Sequence, residues 1–169
     1  TTLARFLKQK KPALWVNETL ENTFAFALAH TMNTKGKQTL ILVPEILQLL
    51  PLEAEALSYF SPSSIAILHS HLTPKEYRSN WKRIQSGEAT LILATRQGLY
   101  APFSNLGAVI VTEEQDQGYK QWDMSPRYHA RFEAKTLGHI HKAKLLYTTA
   151  SPSLESLYEI QLGKMLMLK

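Results

Sequence analysis

Six short apolar runs recur along this chain with room for helices between them, and that alternation constrains the fold more than any other feature. They are Ala13–Val16 (ALWV), Gln38–Pro44 (QTLILVP), Ser64–Ser70 (SIAILHS), Thr90–Arg96 (TLILATR), Gly107–Glu113 (GAVIVTE) and Lys144–Ala150 (KLLYTTA). Each is short enough for a buried strand and lacks the two-residue period of a half-exposed one. Between the first two runs, Leu20, Phe24, Ala27, Leu28 and Met32 recur at helical spacing. Glu45–Tyr59 reads as helix, with Pro51 ending one helix and beginning another. Thr73-Pro74-Lys75-Glu76 has a hydroxyl at the cap, proline at the first helical position and glutamate at the third. The helix it opens turns Tyr77, Trp81 and Ile84 inward and stops at Gly87. Tyr128–His141 reads as a further helix, and Ser151-Pro152 opens another that runs to Leu162 before Gly163. Strands alternating with helices make βαβ units, so the expected fold is α/β, a mainly parallel sheet with helices on both faces. No stretch reads as a linker, and residues 1–169 are taken as one domain.

In such a sheet, chemistry gathers beyond the strands' C-terminal ends. Here these are residues 16–22, 43–46, 69–73, 95–102, 112–131 and 148–153. Charge narrows the candidate partners. Lys and Arg number 19 against 14 Asp and Glu, a formal +5, and this excess favours a polyanion. Arg5, Lys8, Lys10 and Lys11 open the chain without an acid, as a short basic helix or a frayed end. Cysteine is absent, which excludes disulfides, thiolate zinc sites and cysteine nucleophiles; it suits the cytoplasm, the expected compartment. No apolar run reaches the ~18 residues of a membrane span, and no membrane partner is expected. The chain opens on Thr1-Thr2 and is read as a piece of a longer protein.

The stretch with most chemistry is Thr112–Arg131, TEEQDQGYKQWDMSPRYHAR. An acidic cluster (Glu113, Glu114, Asp116) follows a buried run. Tyr119, Trp122 and Tyr128 then alternate with Lys120, Arg127, His129 and Arg131. Rings set among cations suit stacked bases and phosphates. An acidic turn followed by an aromatic surface loop is the plainer alternative, with Arg127 and His129 tying the loop to Glu113 and Asp116. Two other candidates fall away. His139 and His141, two apart on a helix, face different ways, and the adjacent Ser70 and His71 cannot both face one substrate. Met165–Leu168 reads as a last strand or an exit from the domain.

Val43-Pro44-Glu45-Ile46, Leu68-His69-Ser70, Gly87-Glu88-Ala89, Thr95-Arg96, Leu99–Phe103, Glu113-Glu114, Tyr119-Lys120-Gln121, Pro126–Arg131 and Ala150–Ser156 occur in that order. Together they resemble the first helicase lobe of the primosomal protein N′ (PriA) family of replication-restart DNA helicases, over about residues 13–169. The resemblance implies a RecA-like lobe of the P-loop NTPase type. It also implies ATP and Mg²⁺ as cofactors, single-stranded or forked DNA and other primosome proteins as partners, and a second helicase lobe elsewhere in the parent chain. Residues 117–131 are similar to the family's aromatic-rich loop, which implies DNA contacts from Arg96, Tyr119, Lys120, Trp122, Arg127, Tyr128 and Arg131.

The nucleotide motifs depart from the family pattern. A phosphate loop needs GxxxxGK[ST], glycines for close backbone approach, lysine for charge and a hydroxyl for Mg²⁺. The corresponding segment is Val16-Asn17-Glu18-Thr19-Leu20-Glu21-Asn22-Thr23. Side chains at Val16, Thr19 and Glu21 stand where glycines are expected, each resisting a left-handed backbone by about 1–2 kcal/mol. Asn22 takes the lysine position, and Thr23 alone keeps its type. At an effective dielectric near 20, a carboxylate at Glu21 about 4 Å from a phosphate charge is repelled by roughly 4 kcal/mol. At the helix N-terminus Glu21 is itself favoured, and it is expected to occupy the anion site. The family's DEEH stands here as Thr112-Glu113-Glu114-Gln115, so the metal-holding aspartate is threonine and Glu113 is a vestigial catalytic residue. GSAT stands as Thr148-Thr149-Ala150-Ser151. The expectation is a lobe that binds DNA or scaffolds a primosome, with no cofactor, no metal and no ATP hydrolysis. The alternatives are an active helicase domain with an atypical nucleotide site, and a module that binds protein alone.

Overall fold

In a computed structural model, the described residues are 2–17, 22–122 and 125–168. Among them the strands are β1 (Ala13–Val16), β2 (Gln38–Leu42), β3 (Ile65–Leu68), β4 (Leu91–Ala94), β5 (Leu106–Val111), β6 (Lys144–Thr149) and β7 (Leu166–Leu168). They form one sheet in the order β3-β4-β2-β5-β6-β1-β7, with every pairing parallel. The helices are α1 (Thr2–Lys8), α2 (Thr23–Asn33), α3 (Leu49–Ala56), α4 (Pro74–Ser86), α5 (Ala130–His141) and α6 (Leu154–Gln161).

Both faces of the sheet are apolar because consecutive strand residues point to opposite sides. Ile41 and Ile110 join Phe6, Phe26, Leu49 and Leu52 from α1, α2 and α3 in one core. Their neighbours Leu40, Leu42, Val109 and Val111 join Ile84 of α4 and Ala134 of α5 in the other. The basic N-terminal segment is helical, anchored by the fully buried Phe6. Within Met165–Leu168, Leu166–Leu168 form β7, which pairs with β1 from Ala13 to Trp15.

Boundaries differ from the sequence expectation for local reasons. Pro51 is the third residue of α3, after a 3-10 turn over Ile46–Gln48, where its missing N–H has no intrahelical partner to lose. The capping box at Thr73 is present in both directions, and Gly87 ends α4 at φ 80°. α5 starts at Ala130 rather than Tyr128, because Gln121 N–H donates to Tyr128 O and Lys120 bridges His129, holding those residues extended. His129 then caps the helix, its ring nitrogen accepting from Arg131 N–H. α6 is capped by Ser153 rather than by Ser151-Pro152.

Candidate functional site

β1, β5 and β6 end side by side, with Val16 closing β1 and Thr23 opening α2. Thr19 and Glu21 lie outside the described residues. Asn17 N–H donates to Thr149 O, continuing the β1–β6 ladder by one residue. Asn22 precedes α2 with φ −87°, and its side chain does not cap the helix. It donates instead from Nδ2 to Glu55 Oε2 on α3, at 2.9 Å. At the lysine position there is thus a neutral amide committed to a carboxylate. Thr23 is exposed at the first residue of α2, and Phe24 behind it stacks on Trp15 at 4.5 Å.

The acidic doublet after β5 divides its two members. Thr112, at the metal-holding position, is buried, and its hydroxyl donates to Leu42 O at 2.9 Å. Glu113 adopts φ 46° and accepts from Gln48 Nε2 at 2.8 Å. Burial, and then the charges of Asp116 and Glu45, hold its carboxyl above the ordinary range. Glu114 turns into the protein, where its two oxygens accept from Ser153 N–H and Ser153 Oγ. The cleft between these elements has a volume of about 190 Å³. Trp15, Asn22, Gln48, Glu55 and Glu113 line it, with no Lys or Arg among the described lining residues. Pockets that enclose drug-sized ligands run to about 300–1,000 Å³.

Glu113 gives a pH prediction. Its folded carboxyl holds a proton to higher pH than an unfolded glutamate. Its contribution therefore favours the fold below the ordinary value of 4.5 and is lost as pH rises through the raised folded value. Glu113→Gln keeps an acceptor for Gln48 and removes the charge. The variant should melt above the parent at pH 7, with the gap closing toward pH 4. Thermal unfolding across that range checks this, and a gap that is absent or reversed at pH 7 contradicts it.

The seven residues assigned to DNA contact divide into two groups. Tyr119 and Arg131 are corrections. Tyr119 is fully buried, its hydroxyl within 2.9 Å of Leu42 O and 2.7 Å of Thr112 O, so its ring is part of the core and has no face to offer a base. Arg131 is 5% exposed because it sits in the first turn of α5, facing β6 and α6. Its Nε lies 3.2 Å from Glu114 Oε2, Nη2 donates to Ser156 Oγ, and the guanidinium lies 5.0 Å from the Tyr147 ring centroid. The loop is therefore tied to the acidic doublet through Arg131 and Glu114, and among the described residues neither Arg127 nor His129 pairs with Glu113 or Asp116. Asp116 accepts from Gly118 N–H instead.

The rest face outward or brace the segment. Trp122 is 64% exposed, with Lys120 Nζ 5.5 Å from its ring centroid, and Arg127 is exposed. Arg96 is half-buried and donates from Nη1 to Lys120 O, supporting the segment from beneath. Tyr128 meets Tyr100 edge to face at 5.9 Å. Tyr100, 55% exposed, extends the aromatic edge; it belongs to the Leu99–Phe103 motif but carries no contact assignment from sequence, being separated from the other rings by β5. Gln48 and Glu55 were missed as well, since nothing local marks a residue on α3 as facing β5. Among the described residues no three metal-binding side chains gather, and His139 and His141 sit near the end of α5.

Comparison with family models finds no match. Comparison with individual proteins is decisive. The chain is 43% identical over 129 residues to the replication restart protein PriA of Haemophilus influenzae, covering 76% of this chain and 17% of that one. It is 37% identical over 129 residues to PriA of Bacillus subtilis, covering 76% and 16%. The chain belongs to the PriA family. It spans about a sixth of the length of those two relatives. The helicase domain of Pyrococcus furiosus Hef superposes with a TM-score of 0.67 at 20% identity, covering 99% of this chain and 37% of that one. That likeness shows the RecA-like fold of this PriA-type lobe. No helix of its described residues is long and apolar enough to cross a membrane.

Proposed function

We propose that this PriA-type lobe contacts single-stranded or forked DNA within a replication-restart protein, scaffolds its primosome partners and a second helicase lobe, and does not hydrolyse ATP. One contrast between neighbouring surfaces carries the reading. The cleft has Asn22 bound to Glu55, Glu113 bound to Gln48, the Thr112 hydroxyl turned to Leu42 O, and no cation among its described lining residues. The edge beside it presents Trp122 and Arg127 to solvent, with the half-buried Lys120 beside the Trp122 ring. A triphosphate with Mg²⁺ needs lysine, a metal-holding carboxylate and backbone N–H groups it can approach closely. The Asn22, Thr112 and Glu113 environments do not fit that group. A base needs an accessible ring and a phosphate an accessible cation, and the exposed Trp122 and Arg127 supply them.

Titrating labelled single-stranded and forked DNA at several salt concentrations tests the reading. Contacts from Lys120 and Arg127 should give a log–log salt slope on the order of −1 to −2, at roughly −0.7 per single-strand contact. A slope indistinguishable from zero, or no binding at low salt, overturns it.

A further inference from the structure

A second charged feature lies at the other end of the sheet. The C-terminal end of α5, the turn into β6 and the approach to β1 enclose a cavity of about 580 Å³. Lys10, Lys135, Lys142, Lys144 and His139 line it, and no acid does so among the described residues. Glu159 reaches Lys135 at 2.9 Å. Lys10 and Lys142 are exposed and make no ion pair among the described residues. Lys144 donates from Nζ to the carbonyls of Phe6 and Gln9, which fastens the basic N-terminal segment to the start of β6. Burial, and then the charge of Lys35, lower the Lys144 pKa, so this amine sits among cations without a carboxylate to offset them. Helix-terminus electrostatics account for His139 and Lys142 at the end of α5. They do not account for Lys10, which a different segment brings to the same cavity.

We infer that this lysine-lined cavity is a second DNA-binding site, taking the phosphate backbone of a duplex at the opposite end of α5 from Trp122 and Arg127. The twelve residues of α5 separate the two sites by about 18 Å. The inference rests on the proposed DNA contact at the aromatic edge. The chemistry favours a duplex over a single strand, because the cavity has no aromatic ring in its lining apart from His139, and single-strand affinity draws on stacking. A duplex offers one phosphate charge per ~1.7 Å of axis, and lysines on flexible stems meet it without reading sequence. An acidic protein partner is less favoured, since such interfaces centre on aromatic or arginine anchors and the apolar lining here is Pro12, Ala143 and Leu145.

The test uses the 169-residue chain and the variant Lys10→Ala/Lys142→Gly. Glycine suits the left-handed backbone at Lys142, where φ is 52°, so the fold is kept, and an unchanged melting curve verifies this. Probes are a short blunt duplex, a single strand of equal length, and poly-L-glutamate. For two lost contacts the duplex salt slope should shrink by about 1.8, at roughly 0.9 per contact, with the single-strand slope unchanged. Trp122→Ala should instead lower single-strand affinity and leave duplex affinity and both salt slopes unchanged. Duplex binding that ignores the lysine changes overturns the inference, even where single-strand binding stands. Lysine-dependent binding of poly-L-glutamate without duplex binding also overturns it, in favour of an acidic protein. If the parent chain binds neither DNA, the aromatic-edge reading falls first and this one with it.

Discussion

Arg131→Met is expected to destabilise the chain by about 3–5 kcal/mol, the usual cost of removing one partner from a buried ion pair. Glu114 has no side-chain exposure and that of Arg131 is 6%, so the abandoned carboxylate has no water to turn to. The loss extends beyond the pair, because Arg131 also donates to Ser156 Oγ and covers the Tyr147 ring. Glu114 in turn holds Ser153, the residue that caps α6. Urea unfolding measures the effect, and the double variant Glu114→Gln/Arg131→Met identifies its cause. Glutamine keeps an acceptor for Ser153 while removing the stranded charge, so the double variant should recover a large part of the loss. A single variant within 1 kcal/mol of the parent, or a double variant additive with its parts, contradicts the account.

Tyr119 and Trp122 lie three residues apart and should answer a truncation in opposite ways. Tyr119→Ala empties a core position and leaves Thr112 O without its phenol donor, which should lower stability by about 3–5 kcal/mol. Trp122→Ala removes a mostly exposed ring and should leave the melting temperature where it is. Its effect should appear in single-stranded DNA affinity, lowered by about 1–3 kcal/mol, or roughly 5- to 150-fold. Paired melting curves and anisotropy titrations on the two variants make the comparison. A stable Tyr119→Ala chain with weakened DNA binding would return Tyr119 to the contact surface, and a Trp122→Ala chain that binds as before would remove Trp122 from it.

That pair also marks where sequence stops being informative. The strands were legible because parallel strands buried on both faces carry uninterrupted apolar runs, as in Gln38–Leu42 and Leu106–Val111. α4 was legible because its start signal is local, with Thr73, Pro74 and Glu76 within four residues. In Thr112–Arg131, rings and cations could be read by type but not by direction. Tyr119 is sent inward by a fold-back that brings its hydroxyl to the carbonyls of Leu42 and Thr112, one of them on another strand. Arg131 is sent inward by Glu114 and Ser156, residues that only the packing of α5 against the sheet, with α6 in reach of its side chains, brings together. Gln48 and Glu55 reach the cleft for the same reason, carried there by the crossover from β2 through α3. A segment's chemistry is written locally, whereas the side it faces is set by elements tens of residues away.

The central claim is that the surface around Asn22, Glu55 and Glu113 no longer accepts a triphosphate while the neighbouring edge still meets DNA. Thermal unfolding of the chain with increasing ATP–Mg²⁺ tests it most directly, because a ligand that binds the folded state at a hundred times its Kd adds about 2.7 kcal/mol of stability. The account predicts a melting temperature that does not move with millimolar ATP–Mg²⁺. A rise that grows with nucleotide concentration, and that Asn22→Ala or Glu113→Gln alters, would contradict it.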